Sequence, residues 1–154
     1  MKIDIHVHSK EISNCGRLSV EEIIDLYKAA DYDAVVITNH FNSETANILK
    51  DKGIDDFHKA YFDYIRHAEK IGREKGSLIL GAHEMRFDEN SNYYLVYGMT
   101  EEMCRDWKKL CAMTSAEFSV FAEENKILFY QAHPFRNNMK VVNPAFLFGI
   151  EVKN

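Results

Sequence analysis

KIDIHVHSKEISNCGRLSVEEIIDLYKAADYDAVVITNH, residues Lys2 to His40, is the stretch that decides the fold. Lys2 to Val7 alternates polar and apolar side chains, the period of a strand, and it brings His6 and His8 to one side of that strand. Ser19 followed three residues later by Glu22 is a capping box ahead of Ile23, Ile24, Leu26 and Tyr27, so the spacing predicts a helix from about Val20 to Ala30. Ala34 to Thr38 (AVVIT) is a short continuous apolar run, the pattern of a strand covered on both faces. Strand, helix, strand in this order is the unit of a parallel sheet.

The pattern continues outward. A charged stretch from about Asp55 to Glu74 carries Phe57, Tyr61, Tyr64, Ile65, Ala68 and Ile71 at helical spacing. Strands are expected at Ser77 to Ala82 (SLILGA), Asn92 to Tyr97 (NYYLVY), Ile127 to Ala132 (ILFYQA) and Gly149 to Lys153 (GIEVK). Helices are expected over about Glu101 to Cys111 and Ala116 to Glu124. Six strands interleaved with helices describe an α/β protein, and with no repeat or linker inside its 154 residues the chain reads as one domain.

Bulk properties exclude several classes. No apolar run approaches the roughly 20 residues of a spanning helix, so no membrane role is expected. MKIDIHVH carries charge at Lys2 and Asp4 in place of a hydrophobic leader, and a cytoplasmic location is the expectation. A net charge of −5 argues against bulk nucleic-acid binding, which needs clustered Lys and Arg, while leaving room for a small phosphorylated molecule. Cys15, Cys104 and Cys111 are odd in number and lack CxxC spacing, so reduced packing thiols are expected in place of a disulfide framework. Cys15 stands apart from the other two because it follows the histidine-rich first strand.

Chemistry gathers at strand ends. His6 and His8 close the first strand, His40 follows the second, Glu84 the third and His133 the fifth. These are C-terminal ends, where loops of βα folds converge. Imidazole nitrogen mixed with carboxylate oxygen is the donor set of zinc, manganese or iron sites. Each side chain also has a purely structural use: His40 as a turn cap, His133 as a hydrogen-bonded ring fixed by Pro134, Glu84 as a partner of Arg86. All of these together would leave several polar groups at buried strand ends, at roughly 1–3 kcal/mol for each one left uncompensated. His58 and His67, nine residues apart on the charged helix, read as solvated or boundary histidines. His83 directly precedes Glu84 and leaves the direction of that carboxylate open.

DIHVHS (Asp4 to Ser9), TNH (Thr38 to His40), the Gly81 to Glu84 segment and QAHPFR (Gln131 to Arg136) resemble, in that order, the motifs of the PHP (polymerase and histidinol phosphatase) domain. SNCGRLS before the first helix and YLVYG at Tyr94 to Gly98 are similar to a bacterial branch of that family. The resemblance implies a distorted (β/α)7 barrel with a cluster of two or three divalent ions (Zn, Mn or Fe) at its C-terminal face. By that resemblance His6, His8 and Glu84 hold one ion, Glu84 and His133 share a second, and His40 serves a third. Glu11 stands where the family commonly has an Asp after its HxH. Arg17 and Arg136 are placed to hold a substrate phosphate, which guanidinium matches bidentately.

The chain departs from the family pattern at three points. Tyr93 or Tyr94 stands where a further histidine ligand is usual, GxE is lengthened to Gly81-Ala82-His83-Glu84, and the closing Asp-x-His motif does not follow GIEVKN. A barrel incomplete at its C-terminus is therefore expected, with an open edge covered by a homo-oligomer or a partner chain. The functional expectation is hydrolysis of a phosphate ester of a small metabolite by a metal-bound hydroxide. A non-catalytic or truncated metal-binding module is the alternative. Hydrolysis of a C–N bond ranks third, since no lysine that could bridge the ions ends a strand beside these histidines.

Overall fold

The structure, a computed structural model, describes residues 1–152. Lys153, expected to close the last strand, and Asn154 lie outside the described residues. The chain forms two compact units: residues 1–40 with 44–82, and residues 41–43 with the chain from His83 onward.

The first unit is built on β1 (Ile3–Val7), β2 (Ala34–Ile37) and β4 (Leu78–Gly81), a parallel sheet in the order β1-β2-β4. The short strand β3 (His40–Phe41) separates β2 from β4 in the chain. Ala34, Val35, Val36 and Ile37 are all buried, so the continuous apolar run becomes the central strand, as its composition requires. Helix α1 (Val20–Ala29) starts at the expected box: the Glu22 N–H donates to Ser19 Oγ at 3.2 Å and the Ser19 N–H to Glu22 Oε2 at 2.7 Å. Its buried side chains are Val20, Ile23 and Ile24. Helix α2 (Ser43–Asp51) was not expected, because few apolar residues mark its buried side; Thr45, Ala46 and Leu49 supply it.

Helix α3 (Phe57–Lys75) ends on Gly76, whose φ of 71° is the left-handed conformation that glycine adopts without strain. It lies close against β4. A Cβ on Gly72 would stand 2.5 Å from Ile79 Cγ1 and 2.9 Å from the Ser77 carbonyl oxygen, so only glycine permits this approach.

β1 contains a register irregularity just ahead of His8. Asp4 pairs with Val35 and Val7 with Ile37, three residues against two. Register partners share a face, so Val7 lies on the same face as Asp4, which accepts a hydrogen bond from the Tyr27 hydroxyl of α1 at 2.7 Å. His8 follows directly beyond the strand end.

The second unit carries β5 (His83–Met85), β6 (Tyr94–Tyr97), β7 (Leu128–Gln131) and β8 (Gly149–Ile150), in a sheet ordered β3-β5-β6-β7-β8. β5, β6 and β7 are antiparallel neighbours, and β7 and β8 are parallel. Helix α4 (Trp107–Ala112) begins later than expected, after turns at 101–106, because the Asp106 carboxylate accepts the Lys109 N–H and caps it there. Helix α5 (Ser115–Glu124) has a second capping box, Thr114 with Glu117. Phe87, Tyr94, Phe118 and Phe129 form the core of this unit, with ring centroids 4.9–5.2 Å apart in four of their pairs.

The α/β character expected from the sequence is present, whereas no closed barrel forms among the described residues, which make two sheets. A parallel neighbour needs a crossover connection, and residues 86–93 between β5 and β6 contain no helix, so β6 returns antiparallel. No helix among the described residues is long and apolar enough to cross a membrane.

Gly72→Ala is expected to lower stability by about 1–3 kcal/mol, the usual cost of forcing an extra carbon into a close-packed contact. Urea unfolding monitored by circular dichroism, with an unchanged m-value, checks this; a midpoint equal to that of the parent chain would contradict the packing of α3 on β4.

Candidate functional site

In the first unit, the side chains that end β1 and β2 are tied together by a buried polar network. The Asn39 carboxamide oxygen accepts the Ser9 N–H and the Ser13 hydroxyl, each at 2.9 Å, and its NH2 donates to Ser9 Oγ at 2.9 Å. The Tyr64 hydroxyl of α3 also donates to Ser9 Oγ, and burial pushes the Tyr64 pKa upward, so it remains a donor. The Tyr61 hydroxyl donates to the Asn39 carbonyl at 2.7 Å. Ser9, Ser13, Asn39 and Tyr61 are all essentially buried. Leaving such groups unpaired would cost about 1–3 kcal/mol apiece, so the network holds the two strand ends in one arrangement.

This network favours one tautomer of His8. Ser13 Oγ accepts the backbone N–H of His40 at 2.8 Å and gives its single proton to Asn39. His8 Nδ1 lies 3.3 Å from the same oxygen, so in that contact the imidazole must be the donor. Donation from Nδ1 to a fixed oxygen is the second-shell arrangement common to histidine metal ligands, whose other ring nitrogen binds the ion.

His6 Nε2 lies 3.0 Å from His8 Nε2, and the His8 and His40 ring centroids are 4.8 Å apart. Cys15 joins them: ligand atoms of His8, Cys15 and His40 all lie within 4.8 Å of one another. Partial burial opposes ionisation of the Cys15 thiol, but hydrogen bonds from His40 and His8, and the charge those rings carry when protonated, outweigh it and bring its pKa down to about 6. Glu11 reaches the start of α1. Its Oε1 accepts the Val20 N–H at 3.1 Å at the start of α1, and Oε2 is buried without a hydrogen-bond partner. Arg17 is exposed just beyond Gly16.

In the second unit, Glu84 is only 1% exposed and its Oε1 lies 2.8 Å from His133 Nε2. The register of β5, with His83 opposite Val96 and Glu84 opposite Leu95, settles the direction left open by the extra residue. His133 has φ 28°, an unusual backbone for a residue with a side chain, and its N–H donates to Glu151 Oε2 at 2.8 Å. Strained backbone of this kind persists where the surroundings over-determine it, commonly at functional positions. Gln131 braces the loop that follows, donating to the Lys140 carbonyl at 2.7 Å and accepting the Val142 N–H at 3.1 Å. Arg86 donates to the Tyr93 hydroxyl at 3.1 Å, and Arg136 is exposed three residues beyond His133.

The remaining histidines lie in other surroundings. His67 on α3 is exposed, 3.8 Å from Glu21, and His58 packs its ring against Phe62. His83 is buried, its ring 5.1 Å from that of Phe41 and its Nε2 3.8 Å from Cys104 Sγ. Cys15 is the member of the first cluster that sequence reasoning set aside. Its only signal was position, in the loop directly after the HxH strand.

The donors suit divalent metal: clustered imidazoles and a thiol in one unit, a buried carboxylate beside an imidazole in the other.

No family model matches the sequence, and no curated protein matches it. Solved structures do. PsfC from Pseudomonas syringae PB-5123 is 16% identical over 99% of this chain and 66% of that one, with a TM-score of 0.68. A Bifidobacterium adolescentis ATCC 15703 protein, provisionally assigned as a metal-dependent phosphoesterase, is 12% identical over 99% of this chain and 77% of its own, with a TM-score of 0.61. An amidohydrolase from Chromobacterium violaceum, determined with bound sulfate and no metal, is 12% identical over 97% and 76%, with a TM-score of 0.55. The chain thus spans about two thirds of the first and three quarters of the others. At these identities the likeness is one of fold.

Two outcomes are expected from this geometry. Asn39→Ala should cost about 1–3 kcal/mol and release the His8 tautomer, seen as a changed pair of imidazole nitrogen shifts in 15N NMR; unaltered shifts would show that the network does not set it. Burial lowers the His83 pKa from 6.5 to about 4. The unfolded chain takes up this proton first, so the contribution of His83 is complete above pH 6.5 and is lost as pH falls from 6.5 toward 4, by roughly 3 kcal/mol. His83→Leu should flatten that part of the stability profile in urea unfolding at pH 7.5, 5.5 and 4.5, and an equally steep profile would contradict it.

Proposed function

We propose that this chain is a metal-dependent hydrolase, and specifically a phosphoesterase of the PHP class acting on a small phosphorylated metabolite. His6, His8, Glu11, His40, Glu84 and His133 are the residues we assign to its two or three divalent ions. The observation that carries the reading is the contact of His8 Nδ1 with Ser13 Oγ, itself held by Asn39, because a solvated histidine has no need of such bracing. The fold likeness to a protein assigned as a metal-dependent phosphoesterase supports it, as does the ordered set of motifs quoted above.

When bound, the ions supply Lewis-acid polarisation of a phosphoryl oxygen and acidify water. The residues of the chain do the rest. The buried network under His8 holds its ring in a ligating state before any cation arrives, so little reorganisation is required. Glu84 contributes a carboxylate in a dry setting, with His133 Nε2 orienting it. Arg17 and Arg136, both exposed, are the groups we assign to the substrate phosphate, each able to bind two of its oxygens. Glu11 stays in the proposed ligand set, with Oε1 engaged at the start of α1 and Oε2 the oxygen left for an ion.

Elemental analysis of the purified chain, beside hydrolysis of p-nitrophenyl phosphate with added manganese, tests the proposal. Two or more ions per chain with turnover are expected. His8→Ala and His133→Ala should each lose metal and lower kcat/KM by at least about 100-fold, more than an outer-shell partner costs. Full activity after metal depletion would sink the reading. At most one ion and no turnover would identify a binding module, and cleavage of p-nitroacetanilide in place of the phosphate ester would identify a C–N hydrolase.

A further inference from the structure

The geometry points to Cys15 as a thiolate ligand that, with His8 and His40, makes a nitrogen–sulfur site for one zinc or iron(II) ion in the first unit. The inference rests on the assignment of His8 and His40 as ligands and is independent of whether the chain hydrolyses phosphate. A tetrahedral ion with a metal–nitrogen distance near 2.0–2.1 Å and a metal–sulfur distance near 2.3 Å holds its nitrogen and sulfur ligands roughly 3.6 Å apart. Cys15 Sγ lies 3.6 Å from His40 Nε2. The candidate ligand atoms of His8, Cys15 and His40 all fall within one 4.8 Å cluster.

Cys15 is held there by the backbone. A Cβ on Gly16 would lie 2.3 Å from the Ser9 carbonyl carbon and 2.4 Å from its oxygen, so glycine alone lets the loop fold back this tightly. The Ser13 N–H donates to the Ser9 carbonyl at 3.1 Å, the Gly16 N–H to the Ser13 carbonyl at 3.0 Å and the Lys10 N–H to the Leu18 carbonyl at 2.9 Å. These bonds seat the thiol beside the end of β1, although Cys15 itself is exposed and therefore reachable by a cation from solvent.

The consequence is metal choice. A thiolate donor favours zinc and iron over magnesium, calcium and manganese, which prefer oxygen. Cys104 and Cys111 do not compete: both are buried in the second unit, where burial pushes their thiols up to about 12.

Titration of the full metal-depleted chain with cobalt(II), a spectroscopic stand-in for zinc, tests this directly. A cobalt–thiolate charge-transfer band in the near ultraviolet is expected at one equivalent. Cys15→Ser should abolish that band and weaken zinc binding at least about tenfold, with an unchanged circular dichroism spectrum, while Cys104→Ala should keep it. Cobalt bound without the band, or a zinc affinity in Cys15→Ser within twofold of the parent, would overturn the inference. A chain that takes up neither cobalt nor zinc would overturn both this inference and the hydrolase reading. The band without hydrolysis leaves the thiolate site standing and removes the phosphoesterase; hydrolysis without the band does the reverse.

Discussion

The carboxamide of Asn39 is the interaction on which the first unit's chemistry depends. It sits at the end of a strand covered on both faces, where an unpaired amide would be costly, and it spends its oxygen on Ser9 and Ser13 and its NH2 on Ser9 Oγ. Each of those bonds has a downstream effect. Ser9 is fixed at the point where β1 ends, Ser13 is left able only to accept from His8, and His40 is drawn in through its backbone N–H. A core polar group thus orders side chains that reach the surface. The stability of the buried network and the readiness of the imidazoles have the same origin.

The two units offer chemically different donors. The first presents imidazoles and a thiol on a sheet end and a tightly folded loop, and the second presents a fully buried carboxylate braced by a histidine on a strained backbone. Soft and hard donors in one protein suit a mixture of metal preferences better than a single one. The likeness to proteins described as hydrolases is one of fold, so the weight falls on these particular side chains.

Much of this was legible in the sequence where a periodic pattern carried it. AVVIT read as a central strand because a run of apolar residues leaves no polar face, and α1 read from Ser19 and Glu22 because a capping box is local chemistry. His6, His8, His40, Glu84 and His133 stood out because polar residues interrupt strand ends. Elements decided by distant contacts were not legible. β3 and β5, of two and three residues, are too short for any alternation to register. The reversal of β6 depends on a connection without a helix, and the seven-stranded barrel inferred from the family motifs did not anticipate it. Cys15 was set aside because its place is determined by how closely Gly16 approaches Ser9, a relation between backbones that has no periodic signature.

The order of the donors along the chain has a temporal consequence. His6, His8, Cys15 and His40 all precede residue 41, and the strands and helices that seat them are complete by Ala82. Synthesis proceeds from the N-terminus, and compact units fold as they emerge. A ribosome making this protein therefore exposes these side chains, with their hydrogen-bonded scaffold, about fifty residues ahead of His133. On the assignment proposed above, an ion taken by these nitrogen and sulfur donors would meet them before the second set is complete.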